Sequence, residues 1–114
     1  MEKISFDKNE LIFIAKVLDQ RRLFLHYNLR STLPKDHSTV KNKILKGINS
    51  RSSAFTMALQ RRELVYLNHA LTQYFITAIR AEIFEGEKQF IHLLKSIAEI
   101  LGEDFEETFS NLFE

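Results

Sequence analysis

Two matching stretches decide the fold: residues 6–14 read FDKNELIFI, and residues 59–67 read LQRRELVYL, 53 positions later. A second match joins residues 44–48, ILKGI, to residues 93–97, LLKSI, at an offset of 49. The two offsets differ by four residues, and the difference falls between the matched segments, where a connection can vary in length. The sequence therefore predicts an internal repeat in which each half contains a long helix, a turn and a shorter helix.

Chance is the alternative explanation for this match, because unrelated amphipathic helices also resemble one another. Polar identities count against chance, since an apolar helix face does not require them. Glu10 corresponds to Glu63, and Gln20 corresponds to Gln73. These identities favour a true repeat, with its halves at residues 1–52 and 53–102.

The first half carries a strong signal for the start of a helix. Asp7 suits an N-cap, and Glu10 stands at the spacing of a capping box. Phe6 and Leu11 occupy the two positions of a hydrophobic staple around that cap. Apolar residues then recur every three or four positions, which predicts an amphipathic helix. The predicted core-facing residues are Leu11, Phe13, Ile14, Ala15, Val17, Leu18, Phe24, Leu25, Tyr27 and Leu29.

The same periodicity predicts three further helices: a short one around residues 40–49, a long one that runs to Gly86, and a fourth at residues 87–101. Each glycine of the chain follows an apolar helical pattern, as a left-handed C-terminal cap does. These predicted caps are Gly47, Gly86 and Gly102. The predicted inward-facing residues are Val40, Ile44, Ile48, Leu64, Leu67, Leu71, Tyr74, Ala78, Phe90, Leu93, Leu94, Ile97 and Leu101, with a second stripe of Val65, Thr72, Ile76, Ile79 and Ile83.

Together these elements predict an all-α fold. We expect an antiparallel helical bundle of two pseudo-repeated helical hairpins plus a short C-terminal amphipathic helix. The whole chain, residues 1–114, is expected to form a single helical domain, with an acidic amphipathic tail at residues 103–114.

Residues 54–59 allow two interpretations. Apolar side chains alternate along this segment, as they do at Ile4 and Phe6, so the two segments could be extended and pair as strands. The helical interpretation places an N-cap at Ser52 or Ser53. It is preferred here, because most residues of the segment are good helix formers.

Composition restricts the class of protein. Of the 114 residues, 45% are hydrophobic and 27% are charged, as in a folded globular domain. The absence of cysteine excludes a disulfide framework and cysteine-bound zinc, and it fits a reducing compartment. No apolar run approaches the ~20 residues that cross a bilayer, and the first six residues do not form a signal peptide. We therefore expect a cytoplasmic protein that does not bind membranes.

No catalytic or metal-binding constellation stands out. No two of the four histidines stand three or four residues apart, so no helical metal pair exists. His26 and His69 are expected to be packing residues, and His37 to be solvated or to lie at the start of the second helix. A glycine-rich phosphate loop is also missing. The sequence therefore predicts neither an enzyme nor a cofactor.

Charge is distributed unevenly along the chain. Residues 30–62 contain eight basic residues and one acidic residue, whereas residues 82–114 contain nine acidic and two basic residues. The basic segment could bind phosphate groups, or the acidic segment could neutralise it within the fold or across a dimer. The net charge of only +1 favours neutralisation. The candidate anion or nucleic-acid contacts are Lys41, Lys43, Lys46, Arg51, Arg61 and Arg62.

Arg21 and Arg22 interrupt the apolar pattern of the first helix. The residues that correspond to them in the second half are Tyr74 and Phe75. One arginine must therefore lie close to the apolar face. We favour a long stem that packs on the core while the guanidinium reaches water or a carboxylate. The alternative is a phosphate or carboxylate site, in which residues 61–62 could take part.

The tail offers the clearest interaction hypothesis. Asp104 and Glu107 repeat the capping-box spacing, and large apolar side chains recur on one side of the segment. Such a segment can lie in a groove of a partner, pack on its own bundle, or exchange between two copies. Docking on itself or on a sister subunit is favoured, because four exposed apolar side chains would promote aggregation. The candidate partner or dimer contacts are Phe105, Phe109, Leu112 and Phe113.

The sequence thus favours a non-enzymatic protein-interaction or regulatory module that binds a protein partner or a second copy of itself as a homodimer. The alternative is a nucleic-acid-associated accessory protein that uses the basic segment 30–62, although no recognition helix and no aromatic–basic interleaving is evident. The phrase Glu-Leu-x-x-Ile/Leu-x-x-x-Leu, at residues 10–18 and 63–71, resembles small helical proteins from Gram-positive bacteria and their phages. The resemblance assigns no role to any residue.

Overall fold

The computed structural model of the protein describes residues 1–24 and 35–103, without the side chains of residues 22–24. Two strands and five α-helices follow one another in this part of the chain, and a 3₁₀ turn separates the last two helices. The elements are β1 (Glu2–Asp7), α1 (Lys8–Phe24), α2 (Lys35–Asn49), β2 (Ala54–Leu59), α3 (Arg61–Arg80), α4 (Phe84–Glu87), the 3₁₀ turn (Lys88–Phe90) and α5 (His92–Leu101).

The two strands form an antiparallel sheet, and this corrects the predicted fold class. β1 pairs with β2 in a register that sets Ile4 opposite Met57 and Phe6 opposite Phe55. The all-α bundle of two helical hairpins is therefore wrong, and so is the helical interpretation of residues 54–59. Residues 54–59 follow their alternating apolar pattern and not their helix propensity. Extended backbone buries Met57 and Leu59 on one face of the sheet, and tertiary burial outweighs a weak local preference.

Both long helices begin with a capping box. At α1, the backbone N–H of Asp7 donates to Glu10 Oε1 (2.8 Å), and the N–H of Glu10 donates to Asp7 Oδ1 (2.8 Å). At α3, the backbone N–H of Gln60 donates to Glu63 Oε1 (2.8 Å), and the Gln60 side chain accepts in return. The predicted N-cap at Asp7 is confirmed, and a strand leads directly into each cap.

Only one of the three predicted glycine caps is confirmed. Gly102 is left-handed (φ 76°) and ends α5. α3 ends earlier than predicted, at Arg80, because Glu82 takes the left-handed conformation (φ 62°) that was assigned to glycine. Gly86 lies inside α4, and Gly47 lies buried inside α2, so neither is a cap.

The core lies between the helices and one face of the sheet. The predicted apolar stripes of α1, α2, α3 and α5 supply most of it, whereas Val65 and Ile83 of the second α3 stripe stay exposed. Phe6 and Leu11 of the predicted staple are both buried. The largest fully buried side chains are Phe6, Phe75, Leu11, Ile14, Leu18, Ile44, Leu59, Leu64, Leu67, Leu71, Leu93 and Ile97.

A helix that could cross a membrane is absent from the described residues, since none is both long and apolar enough.

Candidate functional site

A cluster of polar side chains joins the end of α1, the first turn of α2 and the middle of α3. The Arg21 guanidinium lies over the Tyr66 ring, with 5.3 Å between Cζ and the ring centroid. The Tyr66 hydroxyl lies 2.6 Å from His37 Nδ1. His37 is 2% exposed, so its expected solvated position is wrong, whereas its alternative placement at the start of the second helix is confirmed. We call Arg21, His37, Tyr66 and His69 the polar cluster.

Burial and a neighbouring cation shape the electrostatics of the polar cluster. Burial raises the pKa of the Tyr66 hydroxyl, and the Arg21 guanidinium beside it acts in the opposite direction. Burial lowers the pKa of His69, and the charge of Arg21 lowers it further. His69 is nonetheless exposed, which differs from its expected role as a packing residue. Arg21 is therefore the permanent positive charge of the cluster, and it disfavours a second charge on His69.

The positions that correspond to the polar cluster when the two halves are exchanged hold an aromatic cluster. Phe13 and Tyr74, which correspond to Tyr66 and Arg21, meet edge to face with 5.5 Å between ring centroids. Phe13 also stacks on Phe90 at 4.2 Å. Glu87 accepts hydrogen bonds from Lys16 Nζ (2.7 Å) and from the Tyr74 hydroxyl (3.0 Å). The cation here has a carboxylate partner.

Glu63 forms the first of two contacts in which the glutamate of a capping box bonds a basic side chain of another helix. It is 3% exposed and accepts a hydrogen bond from Lys43 Nζ on α2 (2.9 Å) as well as from Gln60 N–H. Burial acts to raise the pKa of Glu63, but the hydrogen bonds from Lys43 and Gln60 outweigh it, so the pKa lies below its ordinary value. Lys43 also donates to the carbonyl of Ala58 (2.9 Å). We call this the Glu63–Lys43 clasp.

Glu10 forms the second contact, with His92 at the start of α5. His92 Nε2 lies 2.5 Å from Glu10 Oε2, and His92 Nδ1 lies 2.7 Å from the carbonyl of Gln89. Both ring nitrogens face acceptors, so the doubly protonated ring fits this position. The bond to Glu10 raises the pKa of His92, and burial opposes the rise only in part. We call this the Glu10–His92 clasp.

Most of the predicted basic contacts have partners inside the fold. Lys41 pairs with Asp19, and Lys43 belongs to the Glu63–Lys43 clasp. The remaining pairs are Arg62 Nε with Asp36 Oδ1 (3.2 Å) and Arg61 Nη2 with the Leu101 carbonyl (2.9 Å). Lys46 and Arg51 are exposed and make no ion pair with the described residues.

The predicted tail contacts Phe105, Phe109, Leu112 and Phe113 lie outside the described residues. The described chain ends at Glu103, whose carboxylate lies 3.5 Å from the amide nitrogen of Asn68 on α3. The last described residue, Glu103, is exposed and lies beside α3.

Sequence reasoning missed both clasps, although a signal existed. The offset of 49 sets Lys43 opposite His92, and the offset of 53 sets Glu10 opposite Glu63. The alignment thus pairs two glutamates and two basic residues. It does not say that each glutamate contacts the short helix of the other half, because that depends on how the halves pack.

Within residues 1–24 and 35–103, no three histidine or acidic side chains gather in a group that could hold a metal ion. Comparisons with protein-family models, curated proteins and solved structures found no significant match to this chain.

Proposed function

We propose that this protein is a non-enzymatic interaction module that works through contact with another protein chain. The observation that carries the proposal is the engagement of the basic segment within the fold. Four of the six candidate phosphate contacts have internal partners, namely Lys41, Lys43, Arg61 and Arg62. A nucleic-acid site needs cations that are available to phosphate groups, so this engagement disfavours the nucleic-acid alternative.

Exposed apolar side chains support contact with a protein. Ile12 on α1, Val65 on α3 and Ile83 after α3 are 55%, 49% and 51% exposed. Singly exposed apolar residues are common on protein surfaces, so these three alone are weak support for a protein contact. The tail is the stronger support. The tail sequence contributes four further large apolar side chains, and apolar surface of this kind is normally covered by a partner or by the protein itself. We propose that the tail mediates a homodimer in the cytoplasm.

We further propose that the chain arose by duplication of a strand–helix–helix unit. The sheet supports this, because Ile4 pairs with Met57 and the offset of 53 makes the same two residues equivalent. Two equivalent strands that run antiparallel are expected to contain such a pair. The order of elements agrees as well: in each half a strand leads into a long helix, and shorter helical segments follow. Lys8 donates to the Gly47 carbonyl at the end of α2 (2.9 Å), just as Arg61, its counterpart, bonds the end of α5.

The oligomeric state of the full-length chain tests the protein-contact function. Sedimentation velocity over a range of concentrations is expected to reveal a dimer for the parent chain. The variant Phe105→Ser/Phe109→Ser is expected to sediment as a monomer with an unchanged circular dichroism spectrum. Thr108→Ala/Ser110→Ala is the matched control in the same segment and should remain a dimer.

A DNA-binding measurement distinguishes the alternative. Fluorescence anisotropy with labelled duplex and single-stranded DNA at low salt is expected to detect no saturable binding. Salt-sensitive binding that disappears in Lys46→Glu/Arg51→Glu would establish the nucleic-acid function instead. A chain that stays monomeric and captures no protein from its host would contradict the interaction module.

A further inference from the structure

Arg21 is a half-buried cation without a carboxylate partner among the described residues. Its Nε atom is buried and has no hydrogen-bond partner there. The nearest acidic residue on each side of Arg21 in the sequence, Asp19 before it and Asp36 after it, pairs with another cation, Lys41 and Arg62 respectively. Residues 20–35 contain no acidic residue, so the connection between α1 and α2 cannot supply a carboxylate. A partly buried guanidinium normally has an anionic partner.

The aromatic cluster indicates what that partner would be. There, Glu87 accepts hydrogen bonds from both Lys16 and Tyr74. These two residues correspond to His69 and Arg21, at the offset of 53. The residue that corresponds to Glu87, at the offset of 49, is Ser38. One half thus carries a carboxylate at this position, and the sequence of the other carries the small hydroxyl of Ser38 there.

We propose that Arg21 and His69 bind an oxyanion, a carboxylate or a phosphate group, at the position that Glu87 fills in the other half. Arg21 is the principal contact, because a guanidinium donates two parallel hydrogen bonds to such a group. Tyr66 packs against the Arg21 guanidinium and orients it. The assignment of the position rests on the proposed duplication, whereas the need of Arg21 for an anion does not.

Nuclear magnetic resonance of the full-length chain tests the site with two probes, inorganic phosphate and acetate, added at constant pH and ionic strength against chloride. The Arg21 Nε–H signal and the His69 ring signals are expected to shift and to saturate. Arg21→Gln should weaken the binding by about tenfold or more, the loss expected for a charge-assisted contact. Lys16→Gln, at the position that corresponds to His69, is the matched control and should bind as the parent does.

A second variant distinguishes two occupants of the site, an oxyanion from solution and a carboxylate of the chain's own tail. Asp104→Asn/Glu106→Gln/Glu107→Gln/Glu114→Gln removes the side-chain carboxylates of the tail beyond Glu103 without shortening the chain. If only this variant responds to phosphate or acetate, the tail occupies the site in the parent, which supports an oxyanion site and identifies its occupant. If neither chain responds, or if Arg21→Gln binds as tightly as the parent, the site is overturned.

Ser38→Glu tests the position of the anion. An internal carboxylate at residue 38 is expected to pair with Arg21 and to weaken phosphate binding by about tenfold or more. Unchanged binding by this variant, with Arg21→Gln still impaired, would reject the placement derived from the duplication and keep the role of Arg21. The two failures are therefore distinguishable.

Discussion

The Glu63–Lys43 clasp and the Glu10–His92 clasp join the same kinds of elements in two different environments. In each, a glutamate of a capping box bonds a basic side chain on the short helix of the other half. Glu63 is 3% exposed and its partner Lys43 is a permanent cation, whereas Glu10 is 15% exposed and its partner His92, which is 54% exposed, carries a charge that depends on pH. Corresponding contacts can therefore differ in strength and in their response to pH, because burial and cation type are set separately.

The largest effect that this comparison predicts is the loss of Glu63. Glu63→Ala leaves Lys43, which is 31% exposed, and the N–H of Gln60 without their carboxylate, and the loss of such charge-assisted hydrogen bonds costs about 1.5–3 kcal/mol of unfolding free energy. Glu10→Ala removes an exposed pair and half of a capping box, with an expected cost of about 1 kcal/mol. Urea unfolding followed by circular dichroism measures both.

A double variant controls for the loss of charge itself. Lys43→Met/Glu63→Leu should be less destabilised than Glu63→Ala, since apolar groups of similar size replace both charges. Equal costs for Glu63→Ala and Glu10→Ala would contradict the difference in burial between the two clasps.

Gly47 and Ser96 extend the comparison to packing, because they occupy corresponding positions of α2 and α5. A Cβ at Gly47 would lie 2.8 Å from Leu11 Cδ1 and 2.9 Å from Phe55 Cδ1. Helix propensity alone would make Gly47→Ala stabilising by about 1 kcal/mol, but overpacking of this kind costs about 1–3 kcal/mol. We expect a net loss of stability in thermal unfolding. Ser96→Ala is the matched substitution and should stay close to the parent, and a rise in Tm for Gly47→Ala would refute the close packing.

The smallest expected effect is a pH dependence of opposite sign for the two clasps. The pKa of His92 is raised above 6.5, so its contribution is complete below pH 6.5 and is lost as pH rises through the higher folded value. The pKa of Glu63 is lowered below 4.5, so its contribution is complete above pH 4.5 and is lost as pH falls through the lower folded value. Urea unfolding across this range should reveal both losses.

His92→Lys is the control for this difference, because it gives the Glu10–His92 clasp the permanent cation of its counterpart. The loss of stability above pH 6.5 should disappear in this variant, while the loss below pH 4.5 should remain. Since exposed ion pairs contribute only about 0.2–1 kcal/mol, the pH titration of the His92 ring signals is the more sensitive measurement. A His92 titration at or below its ordinary pKa would contradict the bond to Glu10.

The features that the sequence predicted correctly depend on patterns of neighbouring residues. The capping box at Asp7 and Glu10, the staple of Phe6 and Leu11, and the left-handed Gly102 depend on residues close together in the chain. The end of α3 was missed because Glu82, not a glycine, takes the left-handed conformation, and sequence statistics favour glycine there. The role of Gly47 was missed because close packing on Leu11 and Phe55 is not a property of its neighbours in sequence.

The sequence by itself determined most of the helical segments and the faces that they bury, since these follow from short-range periodicity. It also predicted which positions of the two halves correspond. Only the tertiary structure decided that residues 54–59 are a strand, because a strand exists only when it has a partner, and the paired residues of β1 lie 47 to 57 positions away in the sequence. It also decided that Glu10 meets His92 and that Glu63 meets Lys43. Those contacts cross between the halves, and their distances depend on packing that no local pattern encodes.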